Sequence, residues 1–184
     1  NLEYYLQVID TVSGNGVVYE NPLGISSAAI TDTEALPCFA NPGSGLGSFG
    51  PGAGIAATPP ERKPVVRTTG RVDPSKADCA ADDSSLCLTQ GRFRVEVDWK
   101  DFSANEGRAT VVELPVNADD SGLFWFFQSD NWEMLVKVLD GCGINGNFWV
   151  FSAATTNVEY TLTVTDTETG DVRQYTNPLG SASP

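Results

Sequence analysis

The sequence predicts an all-β protein: an antiparallel β-sandwich, jelly-roll or immunoglobulin-like, with an extra N-terminal β-hairpin and a long Gly/Pro-rich loop. Three observations carry this. From Arg92 onward, short apolar segments recur at intervals of about ten residues, separated by turn-forming Gly, Asn and Asp. No segment between them has the length and period of a helix. The closing segment, residues 157–184, is also written at the start: residues 1–28 align with it without a gap, 14 of 28 positions being identical.

In order, residues 2–9 and 16–20 read as two strands joined around Ser13-Gly14-Asn15, and Asn21-Pro22 ends the second. Between Asn41 and Pro60 the chain is dominated by Gly and Pro, and irregular structure is expected over 39–83. In RFRVEVDW, Phe93, Val95, Val97 and Trp99 alternate with Arg94, Glu96 and Asp98, the pattern of a half-buried strand. Further strands follow at 109–114, 123–127, 133–139, 148–151, 158–165 and 172–176. LFWFF and FWVF are apolar at every position, which places them as central strands of the core. Two regions result: a hairpin at 1–28 and a sandwich domain over 29–184 that contains the irregular insertion.

Composition narrows the function. Of 184 residues 41% are hydrophobic, enough for a core, and 24 acidic against 11 basic residues give a net charge of −13. Nucleic acid and anionic membrane surfaces are poor partners for such a chain. No apolar run is long enough to span a bilayer. Histidine is absent, which removes Ser-His-Asp and Cys-His catalysis, and no carboxylate spacing marks a hydrolase, so no enzyme is expected. Four cysteines lack zinc-site spacing; Cys79 with Cys87 and Cys38 with Cys142 are the expected disulfides, one of three possible pairings, in an oxidising compartment. The start at Asn1, without Met or a leader, reads as a mature or excised segment of an exported protein.

The block LCLTQGRFRVEVDWKDF, with the strings VKVLDG, NFWVF and YTLTVTDTETG, resembles a module of exported bacterial proteins. That module is repeated on large surface proteins and appended to secreted peptidases. The resemblance spans residues 86–178 and implies a β-sandwich and export; it brings no catalytic residue and no ligand.

Among single residues, Trp99, Trp125 and Trp149 lie in strand patterns and are expected to fill the core. Trp132 follows a Ser-Asp-Asn turn and is the one tryptophan suited to a ligand contact. Carboxylates suit Ca²⁺, but Asp119-Asp120 and Asp130 flank opposite ends of one strand and no calcium-loop signature is present; no cofactor or metal site is expected.

The two hairpin copies differ in a directed way. Leu2, Tyr4, Leu6 and Val8 keep the apolar face of Val158, Tyr160, Leu162 and Val164. Tyr5 and Ile9 replace Thr161 and Thr165, while Val12, Val17 and Val18 replace Glu168, Arg173 and Gln174; Tyr19 is shared with Tyr175. A lone hairpin is marginal in water, and an apolar one has to be covered. The expectation is a structural subunit of an extracellular filament or surface fibre, its hairpin docking on another copy by strand addition. The alternative is a carbohydrate- or protein-binding module of a larger secreted protein, meeting glycans or host and community surfaces through Trp132.

Overall fold

The computed structural model describes residues 2–25, 67–71, 79–115, 118–181 and 183. The chain divides into two compact units, Asn1–Lys63 and Pro64–Pro184. Cys38, the stretch 30–36 and the Gly/Pro-rich segment 41–60 lie outside the described residues.

The first unit contributes a two-stranded antiparallel sheet, β1 (Tyr4–Ile9) and β2 (Gly16–Asn21), paired from Tyr4↔Asn21 to Ile9↔Gly16. The turn is built by short-range polar bonds. Asp10 accepts from the Val12 N–H at 2.9 Å and from the Ser13 hydroxyl, and Gly14, at φ 76°, donates its N–H to Asp10 O at 2.8 Å. Positive φ is the reason for glycine here.

The second unit is an antiparallel β-sandwich, as predicted. One sheet has six strands: β3 (Arg67–Arg71), β4 (Leu86–Leu88), β5 (Phe93–Lys100), β6 (Glu106–Arg108), β11 (Glu159–Asp166) and β12 (Asp171–Asn177). Its order is β3-β12-β11-β5-β4, with β6 also pairing β5. The other has four strands, ordered β10-β9-β8-β7: β7 (Thr110–Val111), β8 (Ser121–Trp125), β9 (Met134–Gly141) and β10 (Asn147–Ala154). A single turn of helix, α1 (Cys142–Asn145), joins β9 to β10.

Alternation places one side chain of every two inside. Val95, Val97, Leu162 and Val164 from the larger sheet face Phe124, Met134, Val136 and Val138 from the smaller, all in one buried cluster. Gly122 keeps the sheets close: a Cβ there would stand 2.6 Å from Leu86 Cδ1. Glu133 is buried at 3% exposure and ties the connection between β8 and β9. Its carboxylate accepts the Phe126 N–H at 2.6 Å and the Asn131 side-chain amide, while Thr155 N–H donates to its carbonyl at 2.8 Å.

Several elements differ from the sequence reading. Arg67–Arg71, inside the stretch expected to be irregular, pairs with β12. Strands β4 and β6 were too short to show a period. The expected strand at 109–114 reduces to Thr110 and Val111, although Val112 N–H still bonds Leu123 O at 2.9 Å in the same register. The largest correction concerns FWVF. It belongs to β10, which lies at the edge of its sheet rather than at its centre.

Cys79 and Cys87 form a disulfide with Cα atoms 5.6 Å apart, closing the loop that leads into β4; Cys142 carries a free, exposed thiol. Replacing Cys79 and Cys87 with Ser should lower unfolding free energy by about 2–3 kcal/mol, the loop-entropy value for so short a ring. Urea midpoints with and without reductant measure it: the wild type should fall to the variant's value on reduction.

Two carboxyls set opposite pH dependences. Burial would raise Asp166, but the Arg92 guanidinium at 2.9 Å and the Glu168 and Thr169 N–H groups outweigh it and hold the carboxyl below its ordinary 3.8. Its stabilisation is therefore complete above 3.8 and is lost as pH falls through the folded value. Burial raises Glu133 above 4.5 despite its hydrogen bonds, so its contribution is greatest below 4.5 and declines as pH rises through the folded value. Urea midpoints followed across pH should lose part of their acid-side fall in Asp166→Asn. In Glu133→Gln they should lose the decline above 4.5.

Candidate functional site

The hairpin in the first unit is a three-dimensional copy of β11–β12, down to single hydrogen bonds. Asn21 Nδ2 donates to Leu2 O at 2.8 Å, Pro22 O at 3.4 Å and Ile25 O at 3.2 Å. Asn177 Nδ2 donates to the equivalent Val158 O at 3.1 Å, Pro178 O at 3.3 Å and Ser181 O at 2.8 Å. Gly24 and Gly180 have φ of 82° and 79°, and Gly14 and Gly170 both have φ of 76°. Strand registers coincide too, Tyr4↔Asn21 against Tyr160↔Asn177. Identical local chemistry has thus built the same hairpin twice.

The surroundings differ. In the sandwich, β11 pairs with β5 along Glu159↔Lys100 to Asp166↔Phe93, and Tyr160, Leu162 and Val164 are buried. Among the described residues β1 pairs only with β2, and every residue of β1 is exposed. Leu2, at 77% exposure, precedes the strand; Leu6, Val8, Tyr5 and Ile9 follow at 46%, 40%, 62% and 49%. Tyr4 is also exposed, Val17 and Tyr19 are half-buried in β2, and Val12 projects from the turn at 90% exposure.

Register sorts the substituted positions by face. Leu6↔Tyr19 and Val8↔Val17 share the face equivalent to the core side of β11–β12. Tyr5↔Glu20, Gln7↔Val18 and Ile9↔Gly16 share the other. Val17 therefore widens the core-type face, where the sandwich has Val164↔Arg173, and does not belong to the outer one. The outer face is apolar at Tyr5, Ile9 and Val18 and polar at Gln7 and Glu20. Tyr5 OH donates to Glu3 at 3.2 Å and to Glu20 at 3.4 Å, and the charges of Glu20 and Glu3 push its phenol pKa up.

The sandwich shows its own asymmetry. The outer face of the six-stranded sheet is polar: Arg94 and Arg108 both reach Glu96, at 2.9 and 2.8 Å, and Arg108 also binds Asp98 at 3.1 Å, beside Thr161 and Thr163. The outer face of the four-stranded sheet is apolar. It carries the cross-strand pairs Leu123↔Leu135 and Leu139↔Trp149, with Trp125 and Phe151. Trp125 and Trp149, expected in the core, lie here half-buried, because the alternation that turns Phe124 and Val150 inward turns them outward. Trp149 covers Gly141, where a Cβ would stand 2.3 Å from its ring, and donates its indole N–H to Asn145 at 3.0 Å. Trp99 is the exception, packing against the core beside Phe126.

Trp132 is exposed at 50%, as expected, on the loop after β8, its indole N–H donating to Ser129 O at 3.2 Å. Asp119-Asp120 and Asp130 lie beyond opposite ends of β8, and no group of three or more potential metal ligands occurs among the described residues. An open depression of about 400 Å³ lies beside Arg92, whose guanidinium binds Asp166 and Glu168 and sits 4.4 Å from the Phe148 ring centroid. No described helix is long and apolar enough to cross a membrane. Compared with family models, curated proteins and solved structures, the chain matches none.

Proposed function

We propose that this chain is a structural subunit of an extracellular filament or surface fibre, joined to further copies through its N-terminal hairpin. The observation that carries the reading is a hairpin with the bonds and register of β11–β12 but, among the described residues, none of the neighbours that bury β11. A two-stranded sheet with apolar groups on both faces gains stability only when another surface covers it. Each covered Leu, Ile or Val side chain contributes ~1–3 kcal/mol, and strand addition supplies backbone hydrogen bonds as well. Donor and acceptor are then unlike surfaces, so the contact propagates head to tail into an open polymer unless it closes a ring. The Cys79–Cys87 disulfide suits an oxidising, extracellular setting.

The test returns the hairpin to the sequence of its polar twin in the full chain: Tyr5→Thr, Ile9→Thr, Val17→Arg and Val18→Gln. The turn and Asn21 network stay intact, so the hairpin keeps its fold. Sedimentation and electron microscopy should show the wild type assembling and the variant weakened at least ~100-fold in self-association, the value of about 3 kcal/mol of lost burial. Assembly of the variant at wild-type concentrations would falsify the reading. The alternative, a carbohydrate- or protein-binding module, has the exposed Trp132 ring in its favour. On a glycan array the wild type should give no signal that Trp132→Ala removes; such a signal would favour the alternative.

A further inference from the structure

We infer that the acceptor for the hairpin is the edge strand β10 on a second copy, with β1 extending the four-stranded sheet; this rests on the assembly reading above. The argument is one of matching faces. β11–β12 is apolar on one face and sits in a sheet whose outer face is polar. The N-terminal hairpin carries apolar groups on both faces, and the four-stranded sheet is likewise apolar on both. Replacing Thr161, Thr165 and Gln174 by Tyr5, Ile9 and Val18 converts a strand pair suited to the first sheet into one suited to the second.

The edge itself is incomplete. Among the described residues β10 pairs only with β9. Val136 and Val138 on β9 are 0% and 1% exposed, whereas Phe148 and Val150, on the same inner side of β10, are only half-buried. On the outer side Phe151 is 51% exposed and Ala153 is also exposed. An added strand with side chains directed both ways covers the two sets together. Leu6 and Val8 supply one side and Tyr5 and Ile9 the other, by the alternation of a strand. Long apolar edge strands are the usual templates for such pairing.

Charge agrees. Lys137, opposite Phe151, is the single charged residue on the outer face of the four-stranded sheet among the described residues. Residues 1–28 contain Glu3, Asp10 and Glu20 and no Lys or Arg. Asp10 needs no arginine of the Arg92 kind, since Ser13 and the Val12 N–H take up its carboxylate within the turn and lower its pKa. Hairpin acids Glu3 and Glu20 flank Tyr5 and remain for Lys137.

Two full-length variants test the pairing. The donor-silent chain is the hairpin variant described above; the acceptor-silent chain carries Phe151→Asp and Ala153→Glu, both at exposed positions. Circular dichroism and thermal unfolding confirm that each remains folded. Alone, each should be monomeric by analytical ultracentrifugation, with self-association down at least ~100-fold in the donor-silent chain and at least ~10-fold in the acceptor-silent chain. Mixed in equal amounts they should form a one-to-one dimer that grows no further, since one chain brings only a hairpin and the other only an edge. If the acceptor-silent chain assembles like the wild type, β10 is not the acceptor, although the hairpin reading stands. Assembly of the donor-silent chain overturns both. Two monomers that fail to pair on mixing also overturn the β10 assignment, and a wild type monomeric at every concentration overturns both.

Discussion

An apolar sheet face has to be covered, and the arrangement of this protein follows from how many such faces it contains. In the sandwich the inner faces of the six-stranded and four-stranded sheets cover each other, and the buried valines, leucines and phenylalanines between them hold the unit together. The six-stranded sheet has no further need, because Arg94, Glu96, Asp98 and Arg108 make its outer face polar. The four-stranded sheet does, because Leu123, Leu135, Leu139, Trp149 and Phe151 make a second apolar face. The hairpin adds two more apolar surfaces, and among the described residues β1 pairs only with β2.

Much of the fold was legible because it is governed by short-range rules. Alternation in RFRVEVDW placed β5 to within one residue, and Gly14 and Gly170 marked turns that their positive φ requires. Strands of three residues were invisible, since no period can be read from Leu86–Leu88 or Glu106–Arg108. The same limit hid β3, which is recruited by pairing with β12 and not by its own apolar pattern.

The misreading of FWVF is more instructive. Unbroken apolarity states only that both sides prefer to leave water, and not that one domain buries both. Among the described residues, Phe148 and Val150 turn inward against the core, while Trp149 lies half-buried and Phe151 exposed on the outer face. Whether the second side is covered by the same chain or by another is not encoded in residue order. The duplicated hairpin was more informative because it offers an internal comparison. Asn21, Asp10, Gly14 and Gly24 fix its backbone, so differences at Tyr5, Ile9, Val17 and Val18 report on its surroundings rather than on its fold.

The polar face has a consequence at a larger scale. If copies join through apolar edges, the ion-paired wall of the six-stranded sheet is left pointing outward. Every chain carries a net charge of −13, which such a polymer would repeat along its axis. Polymers of that charge density would repel one another at low ionic strength. At physiological salt the repulsion reaches only about 8 Å. Lateral bundling would then be governed by ionic strength and divalent cations, while elongation, driven by burial, would depend on them far less.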